Sequence, residues 1–261
     1  MFFPIRDENP TQRVPFVNYG LITLNIVVFL ATWGSIAGGA AWLVPGYGLV
    51  PSRISADPLG ETFTVFTSMF MHGGWGHLGS NMLFLHIFGD NLEDVMGHRR
   101  YLGFYLLCGI AAAAAQVLID THSPVPMVGA SGAIAGVVGG YLLLYPRAPI
   151  VILNLSPLIF FIGLLPVVPA WAIAGEFFFV NLWQAIGEVG EMTLGGVAVF
   201  AHLGGFICGL LVTRRFTLEK QLPPRKWQGF RQLQQPSQAT GARWQRRPRR
   251  PRPAESDPED D

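Results

Sequence analysis

Long apolar runs alternate with short polar segments along most of this chain, and that alternation sets its plan. The runs cover residues 19–36, 77–95, 101–119, 131–145, 169–186 and 196–212. Stretches this apolar and this long predict six helices that enter a bilayer. Residues 37–66 form a long connection with Gly, Pro and Ser, and with the aromatics Trp42, Tyr47 and Phe63. A connection that long is rarely idle, and this one is apolar enough for the membrane interface. Residues 148–166 are also apolar but are broken by Pro157 and Pro166, which predicts a membrane-surface loop. Residues 1–17 are polar and predict a disordered or surface arm.

Composition agrees with a membrane domain. Half of the 261 residues are hydrophobic and 13% are charged. Twelve of the 18 Lys and Arg residues lie from Arg214 onward, so six remain for the first 213 positions. The net charge of +1 averages an apolar body with a charged tail and carries little information. Past Phe216 the chain is rich in Gln, Pro and Arg, and RRPRRPRP gives way to ESDPEDD. That predicts a disordered, charge-segregated tail, read as a solvated segment that fixes topology. Contact with anionic headgroups or nucleic acid is the sharper but less favoured reading. The two cysteines sit in apolar runs, against a disulfide framework or a cysteine metal site. The first apolar run is followed by more spans and reads as a retained helix rather than a cleaved signal.

Six spans also sort the arginines. Arg6, Arg13, Arg99, Arg100, Arg147, Arg214 and Arg215 fall on one side, and Arg53 alone on the other. Seven against one places both termini in the cytoplasm. The expected domains are a cytoplasmic arm at 1–17, a membrane domain at 18–215 and a cytoplasmic tail at 216–261.

Three polar groupings interrupt the apolar spans. His72, His77 and Asn81 lie in MHGGWGHLGSN, Ser131 in GASG and His202 in AHLGGFICG. Polar groups in a membrane are costly and face the bundle interior or a wet cavity. The second, fourth and sixth spans run in the same direction, and each grouping lies at the start of its span, so all share one depth on the outer side. His77 and Asn81 are four apart, hence on one helix face, where both can donate to a developing oxyanion. Gly132, Gly136 and Gly140 form a smooth stripe, as do Gly205 and Gly209. Such faces let backbones approach closely and bring Ser131 toward His202. The fourth span has 15 residues, about 22 Å of helix against a hydrocarbon core of about 30 Å. Ser131 is therefore expected below the outer surface, at a helix start with free backbone N–H groups. The bland alternatives are a packing serine and structural histidines. No carboxylate sits in a matching place, which predicts a dyad rather than a triad.

These segments resemble the rhomboid intramembrane serine proteases. The matching pieces are FTSMFMHGGWGHLGSNM, GDNLEDVMGHRRYLGFYLLCG, GASGAIAG and GGVAVFAHLGGFICG, in family order across about residues 60–215. The resemblance implies Ser131 as nucleophile and His202 as its general base. It implies that His77 and Asn81 help the Ser131 N–H hold the oxyanion, with His72 in support at the cavity. It matches Glu93 and Gly97 to positions that hold the turn between the second and third spans. It implies a six-helix bundle with a partly membrane-embedded first loop, a fifth span that helps admit substrate, and cleavage of transmembrane helices near small residues. No metal, cofactor or nucleotide is expected, and nucleic acid is not an expected partner. The setting expected is a prokaryotic inner or plasma membrane, with the site open to the outer side.

The chain departs from the family at three places. Phe63-Thr64 stand where many members have Trp-Arg. Ala135 stands where some members place an aromatic against the base, so His202 must be held otherwise. Glu176 lies in the fifth span, where an ionisable group is expensive. Two rival readings are an inactive rhomboid-like protein that binds membrane clients and a multi-pass transporter. The first should lack Ser or His; the second should place more charges deep in its spans.

Overall fold

The computed structural model describes residues 2–37, 43–155, 159–190 and 199–218. In chain order the elements are β1 (Phe2–Asp7), α1 (Phe16–Ala37), α2 (Leu43–Tyr47), α3 (Pro51–Ala56) and α4 (Pro58–Thr67). A single 3-10 turn, Ser68–Phe70, precedes α5 (Trp75–Met96) and α6 (His98–Ile119). Then come α7 (Ser131–Leu144), β2 (Pro149–Asn154), α8 (Ile159–Ile162), β3 (Val167–Pro169), α9 (Ala170–Gly190) and α10 (Val199–Phe216). Trp42, Pro157, the start of the sixth apolar run and the charged tail past 218 lie outside the described residues.

Each apolar run carries a helix, and the described ends lie within a few residues of those expected. Phe16–Gly34, His98–Ile119 and Val199–Phe216 are long and apolar enough to cross a membrane. With α7, and the apolar stretch Ala170–Val180 of α9, shorter, the chain is a mostly helical integral membrane protein.

Two expectations need correction. The first 17 residues are not simply a surface arm, and the fold is not purely helical. β1 pairs antiparallel with β2, from Phe2↔Asn154 to Asp7↔Ile150, with a register shift between Pro4 and Arg6. β2 pairs in turn with β3, giving the order β1-β2-β3. Residues 148–166 thus carry a strand rather than a plain loop. Short apolar runs such as PIVILN do not reveal their type by periodicity, and their partner lies more than 140 positions away. β3 passes directly into α9.

Buried polar groups tie the helices. Glu93, 1% exposed, accepts from the backbone N–H groups of Val17 (2.9 Å) and Asn18 (2.7 Å) and bonds His98 Nδ1. One carboxylate therefore caps the start of α1 and ties α5 to α6. Gly97, at φ +75°, makes the sharp turn between α5 and α6. Tyr101 donates to Asn18 Oδ1 (2.8 Å), and Asn18 Nδ2 donates to the Leu85 carbonyl (3.0 Å). Inside a bilayer such groups find no water, so internal pairing is required.

Candidate active site

Ser131 is the first residue of α7, and His202 is the fourth of α10. Their side chains meet, with His202 Nε2 2.7 Å from Ser131 Oγ. Both are half-buried. The contact exists because α7 and α10 pack closely along their glycine faces. A Cβ on Gly205 would strike the Gly132 carbonyl, and one on Gly209 would strike the Gly136 backbone. Gly139 closes against the Phe206 carbonyl and Gly140 against Thr213. The expected stripes therefore do meet, and Gly139 joins them. Gly204 turns instead to α6, where Ala111, Ala112 and Ala115 leave it room.

The segment before Ser131 is held from the first loop. Leu49 and Met127 exchange backbone hydrogen bonds (3.0 and 2.7 Å), Ser52 N–H donates to the Ser123 carbonyl (3.0 Å), and Gly129 N–H donates to the Ser68 carbonyl (2.8 Å). The described part of this connection, residues 43–70, is thus a scaffold, built from α2, α3, α4 and the 3-10 turn. Its anchoring at Phe63-Thr64 is now explicit. Phe63 packs edge-on to Tyr47 at 6.5 Å, buried Thr64 donates to the Glu61 carbonyl (2.7 Å), and Arg53 pairs with Glu61.

Gly129 sits at φ +125°. The place its side chain would take is bordered by His77 Nε2 at 2.7 Å and Ser131 Oγ at 3.6 Å. His77 therefore lies beside the serine. Asn81 follows one turn later on α5 and is buried, with no hydrogen-bond partner for Nδ2 among the described residues. His72 is in the extended stretch before α5, its ring 5.1 Å from that of His77. It is 1% exposed. Burial first, and His77 second, push it down to about 4, so it is neutral. Among the described residues neither of its nitrogens has a well-formed hydrogen bond, although the Phe70 backbone lies close enough to favour the charged form.

The residue before α7 is Ala130, whose side chain cannot cap the helix start. A cavity of about 20 Å³, bordered by Ser68, Met69, Gly109, Ala112, Gly129 and Ser131, adjoins the serine. It has room for one water. Among the described residues no cluster of His, Cys, Asp and Glu offers a metal site.

Three contributors were not anticipated. The Ser68 carbonyl anchors Gly129. Gln116 Oε1 accepts from Ala201 N–H (3.2 Å), the residue before His202. A glutamine in the apolar α6 was a legible signal. Phe177, on α9, places its ring 5.9 Å from His202; nothing in the run FFF marked it. Its neighbour Glu176 is half-buried.

A model of the Rhomboid domain family matches residues 59–218. Among curated proteins, the chain is 27% identical over 201 residues to the Saccharomyces cerevisiae "Rhomboid protein 1, mitochondrial", covering 74% of this chain and 51% of the relative. It is 33% identical over 130 residues to the Bacillus subtilis "Rhomboid protease GluP", covering 49% and 24%. It is 31% identical over 91 residues to the Drosophila melanogaster "Inactive rhomboid protein 1", covering 35% and 6%. The chain thus spans about half the length of the yeast relative and about a quarter of the bacterial one.

Proposed function

Because the chain belongs to the rhomboid family, we propose that it is an intramembrane serine endopeptidase, cleaving peptide bonds in or near transmembrane helices of membrane proteins. The observation that carries this reading is the 2.7 Å contact between Ser131 Oγ and His202 Nε2. Such a pair is what a serine needs to become a nucleophile, since the imidazole takes the proton as the oxygen attacks.

In the first half-reaction Ser131 Oγ adds to the substrate carbonyl and its proton passes to His202 Nε2. The carbonyl oxygen becomes an oxyanion. The Ser131 N–H, His77 and the Asn81 carboxamide supply donors for it. A buried donor without a partner costs about 1–3 kcal/mol and calls for a reason; an oxyanion gives Asn81 one. Collapse breaks the C–N bond, and the leaving amine takes the proton from His202. Water then adds to the ester, His202 takes its proton, and Ser131 leaves with that proton restored. His72 supports His77 by ring contact.

The membrane reading belongs with this one. Six spans at α1, α5, α6, α7, α9 and α10 form the membrane domain, 18–215, with the first loop partly embedded and both termini cytoplasmic. The arm is 1–17, the tail 216–261, and the membrane a prokaryotic inner or plasma membrane. The partners are the bilayer and transmembrane-helix substrates, with no nucleotide or nucleic acid.

The rival is a client-binding protein without activity, since one relative is named inactive. Retention of both Ser131 and His202 at bonding distance favours the enzyme. A transporter finds support only in Glu176. Cleavage of a model transmembrane substrate tests the reading. Ser131→Ala is expected to lower it by roughly four to six orders of magnitude while the protein still folds. Retained cleavage in that variant ends the proposal, and a wild-type chain that binds substrate without cutting it supports the rival.

A further inference from the structure

An imidazole near the start of a helix turns about two torsions, and what its ring packs against bears on both. Ala135, one turn after Ser131 on α7, is fully buried and ends at a methyl group. An aromatic ring is instead brought beside His202 from another helix, by Phe177 of α9, with ring centroids 5.9 Å apart and planes tilted by 45°. Phe177 is itself wedged, 6.3 Å from Phe84 of α5 and 6.3 Å from Phe206 of α10. Phe206 is one turn after His202, so a single ring spans the face that carries the base. Phe178 adds a second α9 contact to Phe206 at 5.3 Å.

We propose that Phe177 is a positioning residue for His202, and that α9, by carrying it, sets the reactivity of the Ser131–His202 pair. The inference rests on the hydrolase reading above. The ring holds the imidazole so that Nε2 points at Ser131 Oγ. When α9 is displaced, the ring leaves with it and the imidazole gains freedom to swing away from the serine. When α9 closes, the pair is realigned. The placement of α9 and the competence of the base are then one variable rather than two.

The test uses the full chain in detergent and a small soluble fluorophosphonate, which does not have to be drawn out of a bilayer. Labelling rate is measured for wild type, Phe177→Ala, Phe177→Leu and Phe177→Tyr. Phe179→Ala serves as control, because Phe179 is 68% exposed on the same helix. Cleavage of a transmembrane substrate is measured alongside. Phe177→Ala and Phe177→Leu are expected to label about ten-fold more slowly, as misplacement of a catalytic group by a fraction of an ångström commonly does. Phe177→Tyr is expected to restore the rate, and Phe179→Ala to leave it unchanged. In cleavage, kcat should fall and KM should stay within about two-fold, which marks a loss felt in the chemical step. Phe177→Leu keeps most of the volume and reads the loss of the ring even where the alanine variant does not fold. If wild type labels and Phe177→Leu labels at the same rate or faster, Phe177 only gates entry and the proposal fails. If wild type does not label at all, the hydrolase reading itself fails and takes this one with it.

Discussion

Gly129 shows how a single residue decides the site. Its φ of +125° is a conformation that side chains rarely adopt, and a Cβ there would press on His77. An alanine costs about 1–3 kcal/mol in backbone strain and displaces the His77 ring beside Ser131. Gly129→Ala is expected to lower cleavage by about ten- to a hundred-fold, on the scale of misplaced catalytic groups. Its thermal unfolding midpoint should fall with it. Gly73→Ala is the control, since nothing lies within 4 Å of a Cβ there. Equal loss from both variants would show that neighbouring glycines are simply intolerant and that the Gly129–His77 contact has no special role. Ser131, His202, His77 and Asn81 were legible in the sequence for one reason: a polar group in an apolar span must be explained. Phe177, Ser68 and Gly129's backbone angle were not legible. A phenylalanine among phenylalanines, and a backbone carbonyl, look the same whether or not they touch a site.

Among the elements, β1 is the least expected, and its docking depends on a carboxyl group. Tyr141 of α7 donates to Asp7 Oδ2 (2.8 Å), as does Asn91 of α5 (3.0 Å). Burial raises the Asp7 carboxyl from 3.8 to about 7; nearby Asp90 adds to the rise, while the Tyr141 bond opposes it. The folded protein thus keeps a proton that the unfolded chain gives up above about pH 4. Stability linked to Asp7 is complete below that pH, declines through the window from about 4 to about 7, and is gone above it. Unfolding midpoints in detergent between pH 5 and 8 should therefore fall with rising pH. Asp7→Asn should flatten the part that comes from this group. An unchanged pH slope in the variant would separate β1 docking from Asp7 ionisation. α7 and α10 stand at the other extreme. Their glycines were readable as stripes because spacing four is a property of one helix, whatever it packs on.

At the scale of the molecule the arginines speak for orientation, with seven on one side and one on the other under a six-span plan. A reporter fused after Pro251 and active only in the cytoplasm is expected to be active. A signal only from a reporter that works outside the cytoplasm would invert the topology, and with it the side from which water meets Ser131. The β-sheet bears on the same question, because it joins the N-terminal strand to the root of α9. Strand pairing across more than 140 positions leaves no periodic trace.

The sequence by itself determined the apolar runs, their helices, the polar positions within them and the glycine faces, because each follows from local spacing and from the cost of polarity in lipid. Only the tertiary structure decided that β1 would close a sheet, that the first loop would hold the Gly129 turn, and that the ring against His202 would come from α9. Those depend on which distant surfaces meet, and a chain read one residue at a time does not contain that information.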